Sequence, residues 1–187
     1  MENLKKYITS ITQFSENSWQ ILQRCCTEIT LTRKAYLLSD GKVCDGIFFI
    51  NTGLCRSFYN RDGADVNTAF HFEGEFVTNI KSLKLAVPSE YMIQALEHCS
   101  VIKLTKETLL EAYKQSREIE TLGRLVLESI SMQQQEHADS FKLLTPKQRF
   151  DHLISNRPDF LQRVSLTQAA SYLGISRETL TRLRAER

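Results

Sequence analysis

The residues of this 187-residue chain whose types and spacing carry chemistry lie close to its C-terminus: Ser176, Arg177, Glu178, Thr179, Thr181 and Arg182. An arginine guanidinium donates a fork of hydrogen bonds to O6 and N7 of guanine, and a glutamate accepts from N4 of cytosine. Exposed near the start of a helix, these types read base edges. Ser165, Thr167, Ser176 and Thr179 are hydroxyls of the kind that contact phosphate oxygens and set register on a duplex.

Two short helices must position them. Ser165 caps a helix over 166–173, Gly174 supplies the left-handed residue that ends it, and Ser176 caps a second helix. Ala169, Ala170 and Leu173 face inward on the first, Ile175 fills the turn, and Leu180 and Leu183 face inward on the second. Two short helices joined by a tight glycine-containing turn make a helix-turn-helix. The charge distribution agrees. The formal charge is only +2, from 24 Lys and Arg against 22 Asp and Glu. Residues 142–187 nevertheless hold nine basic and four acidic side chains, a net of +5, which leaves −3 on residues 1–141. A basic tail behind a slightly acidic body predicts a polyanion partner at the C-terminal end.

The rest of the chain reads as a scaffold. Leu4, Ile8 and Ile11, then Trp19 and Leu22, stand at helical spacing, with a break near Ser15 to Ser18. Two short amphipathic helices follow, with Ser15 or Ser18 as a cap. From about residue 29 to 104 the period changes to two, with short strands over 36–38, 47–51, 55–59, 67–72, 91–96 and 100–104. Asp40-Gly41, Asp45-Gly46, Thr52-Gly53, Asp62-Gly63 and Glu73-Gly74 mark the turns between them. Short strands with glycine turns describe a small barrel or jelly roll. The apolar stripe Leu109, Leu110, Ile119, Leu122, Leu125, Val126 and Ile130 makes 106–141 helical. Its polar later part exceeds what a core helix needs and predicts a dimer seam or a solvent-bridging rod. Thr145-Pro146 then opens a new helix and places a domain boundary near 143.

On these residues the chain resembles the Crp/Fnr (catabolite-activator/fumarate-nitrate-regulator) family of bacterial transcription factors. Ser176-Arg177-Glu178-Thr179 with Arg182 is identical to the family's recognition-helix signature. Asp40-Gly41, Ile47-Phe48-Phe49-Ile50 with Gly53, Asp62-Gly63 and Gly74-Glu75-Phe76 fall at the spacing of the cyclic-nucleotide-binding jelly roll. The resemblance implies that 106–142 is the dimerisation helix and that Gly74, Glu75, Phe76, Asn79, Ser89 and Glu90 line an effector pocket.

That pocket departs from the family's pattern. Cyclic-nucleotide binders of the family place a Gly-Glu pair, which holds the ribose, and an Arg-Ser pair, which neutralises the cyclic phosphate, after this loop. Here the corresponding residues are Thr78-Asn79 and Ser89-Glu90. A buried anion without its cation costs several kcal/mol, so cAMP and cGMP are expected to bind poorly. The family's β-wing is expected to be short or absent, because Arg187 follows closely on the second helix.

Other chemistry lacks support. Cys25, Cys26, Cys44, Cys55 and Cys99 form no metal-ligand spacing, and His71, His98, His137 and His152 are scattered. Hydrolase, P-loop and dinucleotide motifs do not occur, and the close carboxylates Glu73 and Glu75 read as solvated. No catalytic residue, metal or cofactor is expected. The lack of a long apolar run or a leader-like start predicts a cytoplasmic protein with no membrane partner. The expected fold is α+β, with a jelly-roll sensor over 1–105, a long dimerisation helix over 106–142 and a helix-turn-helix over 143–187. The expected function is a homodimeric, sequence-specific transcription regulator on palindromic double-stranded DNA. A small-molecule effector is possible but unidentified. The alternative is a ligand-sensing module that acts through a protein partner without binding DNA.

Overall fold

The computed structural model describes residues 1–186. Helix α1 (Glu2–Ile11) buries Leu4 and Ile8, four apart on one face. Helix α2 (Glu16–Arg24) is capped by the Ser15 hydroxyl, which accepts from the Ser18 amide, and buries Trp19 and Leu22. Eight strands follow: β1 (Cys26–Leu31), β2 (Tyr36–Leu38), β3 (Gly46–Thr52), β4 (Cys55–Arg61), β5 (Ala64–His71), β6 (Phe76–Val77), β7 (Met92–Ala95) and β8 (Cys99–Thr105). A short helix, α3 (Ile80–Leu85), lies between β6 and β7. The strands form two antiparallel four-stranded sheets, ordered β1-β8-β3-β6 and β2-β7-β4-β5.

Two apolar clusters account for the run Ile47-Phe48-Phe49-Ile50, buried along its whole length. Phe48 and Ile50 point between the sheets with Leu38, Cys55, Ile93 and Val101. Ile47 and Phe49 point the other way, into a second cluster with Leu4, Leu22, Ile102 and Leu104. A strand covered on both faces reads as a continuous hydrophobic run rather than an alternation.

The helices after β8 complete that second cluster. Segment 106–142 is not one long helix, as the sequence pattern suggests, but two. Helix α4 (Lys106–Gln115) ends at Ser116, whose extended backbone (φ −148°, ψ 119°) stops it, and α5 (Arg117–Leu143) begins there. The Ser116 hydroxyl accepts from the Ile119 amide and sits 2.7 Å from the Ser18 hydroxyl, so a buried cap sets the break. The first strand, which begins before residue 29, and the two-residue β6 also escape the pattern.

Four C-terminal helices follow: α6 (Pro146–Asn156), α7 (Phe160–Arg163), α8 (Leu166–Leu173) and α9 (Arg177–Ala185). Thr145 and Gln148 form a capping box at the start of α6, with Pro146 in its first turn. Among the described residues no strand follows Thr105. The expected boundary at 143 is not a break in the core. Phe150, Phe160, Val164, Ala169 and Leu173 share one buried cluster with Leu54, Phe70 and Phe72 of the sheet region. The C-terminal helices pack against the edge strand β5 and the turns flanking it, while α1, α2, α4 and α5 cover the first sheet.

Candidate functional site

Helices α8 and α9 form one packed unit. Ser165 and Gln168 make a capping box at the start of α8. Gly174 ends it at φ +66°, with its amide bonded back to the Ser171 carbonyl. A left-handed residue without a Cβ lets the chain reverse in three residues. The Ser176 hydroxyl then accepts from the Thr179 amide at 3.1 Å and starts α9. Leu180 is fully buried and Leu183 nearly so, against Ala169, Ala170 and Leu173.

The opposite side of α9 is open. Arg177, Glu178, Thr181 and Arg182 are exposed together along its first two turns. The Thr181 hydroxyl donates to the Arg177 carbonyl at 2.9 Å, and Arg182 approaches Glu186 only to 4.0 Å. Hydrogen bonds from its own backbone amide and from Ser176, with Arg177 beside it, hold the Glu178 carboxyl below its ordinary value. It is therefore an acceptor at neutral pH. Thr167 is exposed and Thr179 is half-buried. Ser165 and Ser176 are exposed, but their oxygens are engaged as caps.

The basic excess of the tail is less free than its sum suggests. Arg149 donates to the carbonyls of Leu144 and Leu173, tying off two helix ends. Arg163 makes a two-pronged contact with Glu73 (3.0 and 2.6 Å) and reaches Glu97 at 2.5 Å. Arg157 is hydrogen-bonded to Glu75. Glu73 and Glu75 are thus both ion-paired; Glu73 remains exposed, as its place beside a turn suggests, while Glu75 is mostly buried. Burial pushes Glu73 up, but the Arg163 hydrogen bonds outweigh it and hold the carboxyl below its usual range. Burial dominates at Glu75 and raises it. The cations left exposed on α9 are Arg177, Arg182 and Arg184.

A cavity of about 160 Å³ lies beside α3, lined by Tyr59, Asn79, Lys81, Glu90, Tyr91 and Gln134, among others. Asn79 caps α3 through its side-chain oxygen and donates from Nδ2 to the Ser89 hydroxyl at 2.8 Å. The Ser89 hydroxyl donates in turn to the Tyr91 carbonyl. Lys81 and Glu90 are ion-paired at the rim. Three of the six expected pocket residues therefore sit together, with Ser89 directly behind Asn79. Gly74, Glu75 and Phe76 do not line the cavity. Gly74 forms a turn at φ +84°, Glu75 accepts from the Phe72 amide and faces Arg157, and Phe76 packs against Tyr7 and Phe49. The β5–β6 turn faces the C-terminal helices, which explains the displacement. Tyr59, Tyr91 and Gln134 are among the lining residues that sequence reasoning does not select. Lys81 carries a local signal, as a cation beside the missing phosphate partner. Among the described residues no group of His, Cys, Asp and Glu could hold a metal ion, and no helix is long and apolar enough to cross a membrane.

Residues 28–116 match the sequence family described as cyclic nucleotide-binding domain. No curated protein matches the chain in sequence. Among solved structures, FixK2 from Bradyrhizobium japonicum is 17% identical, with a TM-score of 0.74 over 86% of this chain and 83% of its own. CLP, the c-di-GMP responsive global regulator of Xanthomonas campestris, is 15% identical, with a TM-score of 0.71 over 92% and 91%. The catabolite activator protein of Thermus thermophilus is 15% identical, with a TM-score of 0.57 over 92% and 83%. The likeness is one of fold, and it extends beyond the matched segment into the C-terminal helices.

Proposed function

We propose that this chain is a homodimeric, sequence-specific DNA-binding transcription regulator of the Crp/Fnr type. In this reading α8 and α9 are a helix-turn-helix and α9 enters the major groove. The observation that carries it is the surface of α9: Arg177, Glu178, Thr181 and Arg182 exposed in a row, opposite a buried Leu180–Leu183 stripe. Arg177 and Arg182 donate to guanine edges and Glu178 accepts from cytosine. Thr167 and Thr179 reach phosphates, and Ser165 and Ser176 contribute mainly by fixing the helix starts. The structural relatives include a catabolite activator and a global regulator, and the chain is read as a regulator, not an enzyme.

Helix α5 is the dimer seam, with Met132 exposed on its polar half. A two-fold dimer predicts an inverted-repeat operator with half-sites about 34 Å apart. The cavity beside α3 lacks the arginine that a cyclic phosphate needs, and Glu90 stands near its mouth. Regulation by cAMP or cGMP is therefore not part of this reading, and an effector of another kind remains open to the site.

Selection from a pool of random duplexes at low salt tests the proposal. Recovery of an inverted repeat supports it. No retention of duplex would instead favour a sensor that signals through a protein partner.

A further inference from the structure

The C-terminal helices are held to the second sheet by contacts that join residues far apart in the sequence. Arg163, on α7, grips Glu73 and Glu97 at once, and Arg157 takes Glu75. Phe70 meets Phe160 edge-on at 4.9 Å and Tyr172 at 5.3 Å. On α8 itself, the Ser171 hydroxyl accepts from the Asn67 amide (3.0 Å) and donates to the Asp65 carbonyl (2.9 Å), so a helix side chain joins the free edge of β5. That edge is braced from beneath. Arg56, almost wholly buried, donates to the Asp65 carboxylate at 2.7 Å and to the Asn67 side chain at 3.1 Å.

None of these contacts uses α9. Its base-reading face stays open, so the clamp does not cover that face. It fixes where the face points, because α8 and α9 share a core and the Ile175 amide is bonded to the Ala170 carbonyl. A two-pronged guanidinium–carboxylate contact adds geometric definition as well as attraction.

We infer that Arg163, together with Ser171, is a positioning residue for DNA reading. By holding α7 and α8 against the second sheet the two residues set the separation of the two α9 helices in a dimer, and so the number of base pairs between operator half-sites. The inference rests on the DNA reading proposed above. A rigidly held pair of reading helices engages both half-sites only at the spacer its geometry fits. A loosened pair gives up that discrimination while keeping its base contacts.

The test uses the full chain and duplexes that carry the selected half-site as an inverted repeat, with spacers stepped by one base pair. Wild type should prefer one spacer over its neighbours by about tenfold or more. Arg163→Met and Ser171→Ala should each compress that preference to about threefold or less, with the half-site's base preference unchanged. Unchanged spacer discrimination in both single variants overturns the inference. So does a loss of base preference in parallel with spacer preference, which would mean damage to α9 rather than mispositioning. If wild type retains no duplex at all, the DNA reading itself fails and the inference falls with it.

Discussion

Lys81 Nζ lies 2.6 Å from Glu90 Oε1 at the rim of the cavity beside α3. Their hydrogen bond holds the Glu90 carboxyl below, and the Lys81 ammonium above, its ordinary value. Both stay charged at neutral pH, so the rim's cation is already paired. An incoming cyclic phosphate would have to displace a carboxylate from Lys81.

Isothermal titration with cAMP and with cGMP is therefore expected to show no binding in the micromolar range. The lost charge partner costs several kcal/mol, on the order of a thousandfold in affinity. Micromolar heat from either nucleotide would contradict this account of the cavity. Glu90→Gln should leave thermal stability essentially unchanged, since both partners are more than half exposed.

The turn between α8 and α9 depends on Gly174. A Cβ there would lie 2.7 Å from Phe141 Cε1, and φ is +66°. The ring is partly exposed and can yield, so the backbone dominates, and Gly174→Ala should cost about 1 kcal/mol. Leu180→Ala removes a fully buried side chain from the shared core and should cost about 2–5 kcal/mol. Urea denaturation of the two variants checks the order. A Leu180→Ala protein as stable as wild type would mean that α9 does not pack as described.

The local devices around that turn are legible from the residues alone. Ser165, Gly174 and Ser176 announce two helices and their junction because caps and a left-handed glycine act within a few residues. The period-two stretches locate most strands for the same reason. What escapes is partner choice at long range. Glu73 and Arg163 are 90 positions apart, and nothing near Glu73 shows that a helix end will cover it. The opposite signs of body and tail were a usable hint. A −3 unit and a +5 unit in one chain attract each other, and Arg157 and Arg163 belong to that internal pairing. The break at Ser116 escaped because its cap is buried against Ser18 from a different helix.

Inside the sheets, the His71 ring shares a 2.8 Å hydrogen bond with Ser57, and burial pushes its pKa down to about 4. The unfolded chain takes up this proton near the ordinary histidine value of about 6.5. The stability contribution is therefore complete above pH 6.5 and is lost as pH falls from there towards 4. Its size, discounted for the ring's partial exposure, is about 1–3 kcal/mol. Chemical denaturation at pH 7 and pH 5 should show that fall in wild type and a smaller one in His71→Gln. Equal falls would mean that His71 does not titrate in this way.

The base-reading role proposed for α9 is tested most directly by the affinity of Arg182→Ala for the duplex that wild type selects. Arg182 is exposed and, among the described residues, its side chain is ion-paired with Glu186 alone, at 4.0 Å, so its removal should not disturb the fold. Fluorescence anisotropy at fixed salt should show a loss of about 1–3 kcal/mol on the selected duplex, and the penalty for changing the guanine it contacts should disappear. An Arg182→Ala protein with wild-type affinity and wild-type base preference would contradict the assignment of α9 as the reading helix.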